Sequence, residues 1–167
     1  LNPLVAAANP VLAVVAQIRH ALKHPDPEGL RTNLAGRVGE FEALARAAGA
    51  DEGTVSAASA ALCALVDESA ACTPWGAGWS ERGVLAARHA GLSAAQGAED
   101  FFARLEAWSA DPATHRDVLE FFYACLALGY EGRAAASAPD REALAVRRAR
   151  LLELLRGLRP ARDGELS

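Results

Sequence analysis

Apolar residues recur every three to four positions through most of this chain, a spacing that restricts its fold to packed helices. One such row is Leu30, Leu34, Val38, Phe41, Leu44 and Ala48. No segment alternates apolar and polar residues as a half-buried strand does, and β-branched residues are sparse. We therefore predict an all-α fold, a compact bundle of about seven to eight helices.

Capping and helix-breaking residues predict where the first three helices lie. The first helix is predicted from about Pro10 to Leu22, ahead of the breakers that begin at His24. The second helix ends at Gly49, and Asp51 caps the third. The third helix has its own apolar row, formed by Val55, Ala58, Leu62, Leu65, Val66 and Ser69.

The second half of the chain contains four further predicted helices. A short one covers 81–90, and Ser93 with Gln96 has the form of a capping box that opens the next. The helix over 118–130 is apolar nearly all round, so we expect it to be central. Pro139 opens the last helix, which points leucines inward and arginines outward. Residues 1–160 are predicted to form one domain, and 161–167 a flexible tail.

Composition and charge exclude several classes of protein. Hydrophobic residues make up 51% of the 167 and charged residues 23%, as in a globular domain, and the net charge of −4 does not favour nucleic acid. Three cysteines do not suggest a disulfide framework or a zinc site, and we expect Cys63 and Cys125 to be buried. Residues 1–18 are uncharged, but no apolar run approaches the roughly 20 residues of a membrane span.

Sequence motifs for catalysis or cofactor binding are absent from the chain. It has no nucleophile elbow, no phosphate-binding glycine loop, no dinucleotide fingerprint and no zinc-protease motif. His20 and His24 are four residues apart, but no third metal ligand lies near them. We predict a protein that binds other proteins, with no enzyme activity, metal or cofactor. The alternative is a helical enzyme or ligand-binding domain with its site near His20, His24 or Asp67.

Asp67 and Glu68 are the only charged residues between Gly53 and Glu81. Adjacent helical side chains diverge by about 100°, so the two carboxylates cannot work as a catalytic pair. Three interpretations remain open: solvated charges, bonds to a neighbouring loop or arginine, and contact with a partner protein. The same helix carries alanines that would let another helix or a partner approach closely: Ala57, Ala60, Ala61, Ala64 and Ala71.

Trp75 and the arginines of the last helix are two further candidate contact features. Trp75 lies in a loop rich in Pro and Gly, where it is either a plug on the core or an exposed anchor for a partner. The arginines form either a solvated face or a surface for an acidic partner, an anionic membrane or, least favoured, nucleic acid. They are Arg141, Arg147, Arg148, Arg150, Arg156, Arg159 and Arg162.

Seven short motifs carry a family resemblance. They are Asn2-Pro3-Leu4-Val5-Ala6-Ala7-Ala8-Asn9-Pro10, Ala61-Leu62-Cys63-Ala64-Leu65-Val66-Asp67-Glu68, Thr73-Pro74-Trp75-Gly76, Glu99-Asp100-Phe101-Phe102, Asp111-Pro112, Leu119-Glu120-Phe121-Phe122-Tyr123-Ala124-Cys125-Leu126 and Leu128-Gly129-Tyr130-Glu131-Gly132-Arg133. In this order, over residues 2 to about 156, they resemble the DotU/TssL family of type VI secretion proteins. The chain departs from the family pattern at 89–91, at 97–99 and at 134–135.

The resemblance implies a non-catalytic scaffold subunit on the cytoplasmic face of the bacterial inner membrane. The family domain has two three-helix sub-bundles in a hook-like arrangement, and one C-terminal membrane span, absent from this chain, tethers it. Family members bind a large ATPase-like inner-membrane subunit and baseplate subunits, and they form homodimers. Asp67 and Glu68 match an acidic pair implicated in partner contacts, and we add Trp75 to the predicted partner-binding residues. The homologous subunit of a type IVB secretion system is the nearest alternative.

Overall fold

The computed structural model describes residues 2–76 and 79–166, except for the side chains of 80, 81 and 159–166. Within those ranges the chain forms eight helices and no strand, which confirms the all-α prediction. The helices are α1 (Pro3–Ile18), α2 (Pro27–Ala47), α3 (Glu52–Ala71), α4 (Trp79–Arg82), α5 (Val84–Arg88), α6 (Ala94–Ser109), α7 (Arg116–Ala127) and α8 (Arg141–Leu166). None of these helices, over the part described, is long and apolar enough to cross a membrane.

Helix α1 starts earlier and ends earlier than predicted. The Asn2 side chain accepts hydrogen bonds from the backbone N–H groups of Leu4 and Val5, and Pro3 occupies the first turn. These are strong start signals, and the prediction of a start at Pro10 overlooked them. Pro10 instead lies inside the helix. The helix ends at Ile18, so His20 and His24 do not share a helical face.

The long helix α3 runs through the centre of the bundle. Its predicted apolar row is buried in full. Three alanines of the face that we expected to be open, Ala57, Ala61 and Ala64, are buried as well, because other helices cover this side. Helix α3 contacts α1, α2, α4, α5, α6 and α7, whereas α7, which we predicted to be central, packs on α1, α3, α6 and α8. The prediction that named only α7 as central was therefore incomplete. The small alanine side chains of α3 allow more helices to approach it than the larger side chains of α7 allow.

The six longer helices form two groups of three that meet at α3 and α7, and the short helices α4 and α5 pack on the first group. In the first group, α1, α2 and α3 contact one another, and in the second, α6 and α8 pack on α7. Helices α1 and α3 also contact α7. Aromatic rings fill the junction, with the Phe41 and Phe121 centroids 5.8 Å apart and those of Phe101 and Phe122 4.6 Å apart. The two groups match the sub-bundles that the resemblance implies, while the hook-like arrangement stays an expectation.

Other predicted features are partly confirmed. Asp51 caps α3 and Ser93 forms the predicted capping box with Gln96. The helix predicted over 81–90 is interrupted at Gly83, and Leu44 is 54% exposed although it belongs to the apolar row of α2. Cys63 and Cys125 are buried, as predicted.

The prediction that the leucines of the last helix point inward is confirmed for most of them. Leu144, Leu151 and Leu155 are buried. Helix α8 is continuous through Leu166, so it includes 161–166, which the sequence analysis placed in a tail. The limit of the domain at residue 160 and the flexible tail over 161–167 both stay predictions. The side chains of Arg159 and Arg162, and residue 167, lie outside the described part.

Candidate functional site

Asp67 is a buried capping residue for the short helix α5. Only 4% of the residue is exposed, and its carboxylate accepts hydrogen bonds from the backbone N–H groups of Val84 (2.7 Å) and Leu85 (3.0 Å). Gly83 permits this close approach, since a Cβ placed there would lie 2.3 Å from an Asp67 oxygen. Burial raises the pKa of Asp67 to about 6, although the two N–H donors act to lower it.

Glu68 points to a different part of the fold and binds the loop that follows α7. Its carboxylate oxygens accept hydrogen bonds from the backbone N–H groups of Glu131 (2.7 Å) and Arg133 (2.8 Å). The Arg19 guanidinium lies 3.8 Å away. Gly132 adopts a φ of +68°, which favours glycine and lets the loop curl around the carboxylate. Burial raises the pKa of Glu68, and the loop N–H groups oppose this shift.

The acidic pair therefore joins helix α3 to two other segments of the chain. Of the three interpretations left open by the sequence, the solvated pair is wrong, because neither carboxylate is free in solvent. Both residues instead bond to neighbouring segments: Asp67 binds the first turn of α5, and Glu68 binds the loop after α7 and approaches Arg19. Contact with a partner protein stays a prediction, and any such contact has to form at carboxylates that already hold internal hydrogen bonds.

A groove of about 270 Å³ runs beside the acidic pair, and we call it the acidic groove. Tyr130 and Arg133 line it, and the side chain of Arg133 is 54% exposed. The Arg133 guanidinium donates to Glu131 (2.6 Å) and to the Cys72 thiol (3.3 Å). The other lining residues are Ala64, Asp67, Glu68, Ala71, Cys72, Leu85, Ala94 and Ala134. The groove is suited to receiving a side chain or a short segment of another protein.

Trp75 packs as a partial plug against the end of α1. Its indole N–H donates to the backbone carbonyl of Ala21 (2.9 Å), and its ring centroid lies 5.3 Å from that of His24 and 5.9 Å from that of Trp79. The side chain is only partly buried. Glu68 reaches the same end of α1 through Arg19, so two of the three predicted site residues contact one short segment, residues 19–24. The predicted contact between Trp75 and a partner remains untested.

The sequence analysis missed a polar cluster that joins α2, α3 and α5. The Ser59 hydroxyl donates to Glu42 (2.5 Å) and lies 2.8 Å from Nε2 of His89, while Arg88 pairs with Glu42. A Ser, a His and a Glu in contact resemble a nucleophile with its base, but Ser59 has no exposed surface and its hydroxyl already donates to the Glu42 carboxylate. No sequence spacing links these residues, so no local signal could have found the cluster.

Metal-binding clusters are also absent from the described residues. His20 lies in the turn after α1, and the ring of His24 packs on Trp75. The acidic groove and its surroundings are the candidate site, because two of the three predicted site residues, Asp67 and Glu68, line it.

Comparison with known proteins gives matches in sequence and in fold. The family model described as type VI secretion system protein DotU matches residues 3–167. TssL from Vibrio cholerae is 28% identical, with a TM-score of 0.75 over 94% of this chain and 97% of that chain. The cytoplasmic domain of TssL from Acinetobacter baumannii is 22% identical, with a TM-score of 0.81 over 95% and 99%. SciP/TssL from enteroaggregative Escherichia coli is 22% identical, with a TM-score of 0.73 over 89% and 86%. These last two likenesses are of fold alone, and no curated protein matches the chain.

Proposed function

This chain belongs to the DotU family of type VI secretion system proteins, and from that premise we propose that it is a non-catalytic scaffold subunit of the type VI secretion membrane complex. In this role it links the inner-membrane complex to the cytoplasmic baseplate. Its partners are the ATPase-like inner-membrane subunit, the baseplate subunits and a second copy of the chain. It works on the cytoplasmic face of the bacterial inner membrane. The observation that carries the proposal is the family match over residues 3–167.

The acidic groove is the proposed contact site for a partner. Asp67 and Glu68 supply negative charge on its wall, and both are fixed in place by backbone N–H groups. A contact surface that is already ordered loses little conformational entropy when a partner binds. Arg133, more than half exposed at the side chain, lines the same groove and gives a partner carboxylate a place to pair. Trp75 supports the site indirectly, because it holds the 19–24 segment that also approaches Glu68.

The two carboxylates limit the choice of substitutions for the test. Reversing either charge would place a lysine among backbone N–H donors and destabilise the fold as well as any contact. The isosteric double substitution Asp67→Asn/Glu68→Gln removes both charges and keeps an acceptor oxygen on each side chain. Arg133→Glu alters the charge at an exposed position of the same groove. Arg156→Glu, on α8 and exposed, serves as the matched control.

The experiment is biolayer interferometry of the purified chain against the baseplate subunit and the cytoplasmic part of the inner-membrane subunit from its own gene cluster. Each variant is first checked for an unchanged circular dichroism spectrum. We expect wild type and Arg156→Glu to bind, and the groove variants to bind at least about tenfold more weakly, the typical result of removing a charge from a contact. If all variants bind alike, the groove is not the site. If the folded wild-type chain binds neither partner, the scaffold role itself fails.

A further inference from the structure

A second groove lies between α6 and α8, on a part of the chain separate from the acidic groove. Helices α6 and α8 both pack on α7, and the space between them is about 390 Å³. Its floor is formed by leucine side chains: Leu105 and Leu151 are buried, and Leu154 is partly buried. The floor has the apolar character that usually fits another helix, and no described segment of this chain lies in it.

The two walls of this α6–α8 groove carry different charges. Arg147 and Arg150 form the α8 wall, and both are exposed. The Arg147 guanidinium lies 5.2 Å above the ring of Phe102, which orients it beside the groove. Neither arginine forms an ion pair with any described side chain. The α6 wall carries an acidic residue instead, Glu106, which is exposed. The α8 wall therefore presents two arginines that form no ion pair among the described residues, while the α6 wall carries a single carboxylate.

We propose that the α6–α8 groove is a docking site for an acidic amphipathic helix of another protein. The apolar row of that helix, at positions i, i+3 or i+4 and i+7, fills the leucine floor and removes it from water. Carboxylates on one edge of the helix pair with Arg147 and Arg150, whose guanidinium groups bind carboxylates in a two-point geometry. A polar or basic residue on its other edge faces Glu106. Charge complementarity thus fixes both the chemistry of the partner and how it lies in the groove.

The opposite flank of α8 supplies a control for this proposal. Arg148, Leu152 and Arg156 lie four residues apart, so they share a helical face that does not line the groove. This flank has the same residue types, two arginines and one leucine, on the same helix. A general effect of positive charge on α8 would involve both flanks equally, whereas a docked helix involves only the groove.

The test is photo-crosslinking of the full-length protein in the cells that make it. The photoreactive residue benzoylphenylalanine replaces Leu154 or Glu106 at the groove, or Leu152 at the control flank. After irradiation, mass spectrometry identifies the crosslinked peptide. We expect both groove positions to crosslink to one segment of a different protein, with apolar and acidic residues at helical spacing, and Leu152 not to do so. Arg147→Glu/Arg150→Glu should lower the yield at least about fivefold, and Arg148→Glu/Arg156→Glu should leave it within about twofold.

Four results would overturn the proposal. They are no crosslink at either groove position, a crosslink to a second copy of this chain or to lipid, a crosslinked segment without acidic residues at helical spacing, and a yield that the two charge reversals change equally. The crosslinked segment is identified in proteins that keep Arg147 and Arg150. The identification therefore does not depend on whether the charge-reversal variants fold. The proposal is also independent of the acidic groove, because Asp67→Asn/Glu68→Gln should leave the Leu154 crosslink unchanged.

Discussion

The substitution Asp67→Asn measures how burial and hydrogen bonding balance at the capping residue of α5. Asn has the same shape but carries no charge. Val84 and Leu85 donate to different oxygens of Asp67, so Asn keeps an acceptor for only one of these N–H groups and turns its amide NH2 toward the other. In the wild-type protein burial raises the pKa of Asp67 from its ordinary value of 3.8 to about 6. The folded protein therefore binds a proton at Asp67 in a pH range where the unfolded chain does not. Stability contributed by this group is complete below about pH 4 and is lost as the pH rises through 6.

The size of this effect follows from the two pKa values. Between pH 7 and pH 5 the folded state takes up most of one proton at Asp67, so the unfolding free energy rises by about 1 kcal/mol. For a domain of this size that corresponds to a rise in melting temperature of about 2–4 °C. Asp67→Asn has no such proton to bind. The wild-type protein should thus gain about 1 kcal/mol of unfolding free energy relative to the variant over this interval.

The assay is urea unfolding of both proteins at pH 7, 6 and 5, followed by circular dichroism. Taking the difference between wild type and variant cancels the titration of Glu68 and His89, which both proteins share. A difference that stays constant from pH 7 to pH 5 would refute the reasoning. A wild-type protein that loses stability relative to the variant on acidification would show that the hydrogen bonds from α5 outweigh the burial of the carboxylate.

Three further predictions concern single positions. Glu68→Ala should speed hydrogen exchange of the two loop amides that bind this carboxylate, measured by mass spectrometry, whereas Asp67→Asn should leave them protected. Leu62→Asp should prevent folding, as judged by circular dichroism, because an unpaired charge at this fully buried position costs several kcal/mol or more. Gly83→Ala should lower the melting temperature because its Cβ would collide with Asp67, while Gly36→Ala, at an exposed helical site with open space around it, should raise stability by up to about 1 kcal/mol. Equal effects of the two glycine substitutions would contradict the close contact at Gly83.

Local signals predicted the parts of the fold that depend on neighbouring residues. The caps at Asp51 and Ser93 act over three residues, and the apolar row of α3 repeats within each turn, so both could be read directly from the chain. The start of α1 was also a local signal, since Asn2 and Pro3 have the right chemistry, but the prediction placed more weight on Pro10. Here the error came from treating an internal proline as a start.

The candidate site could not be predicted in the same way, because its contacts join distant parts of the chain. Asp67 receives its hydrogen bonds from α5, and Glu68 receives its own from the loop after α7. Neither donor segment contains a sequence motif that predicts binding to a carboxylate. The same holds for the cluster of Ser59, Glu42 and His89. Backbone donors are present at every non-proline residue, so only the packing of the helices determines which of them a buried carboxylate meets.

The five-residue helix α5 has a consequence for the order of folding. An isolated helix of this length is unstable in water. The entropy lost in ordering its first turn exceeds the stabilisation from the one or two hydrogen bonds that it forms. Helix α5 thus depends on Asp67 at one end and on the pairing of Arg88 with Glu42 at the other, and both partners lie on helices that must already be packed. We therefore predict that its contacts form after the rate-limiting step, so that damage to them should speed unfolding more than it slows folding. We accordingly expect α5 to open in the native state before α2 and α3, on which it packs.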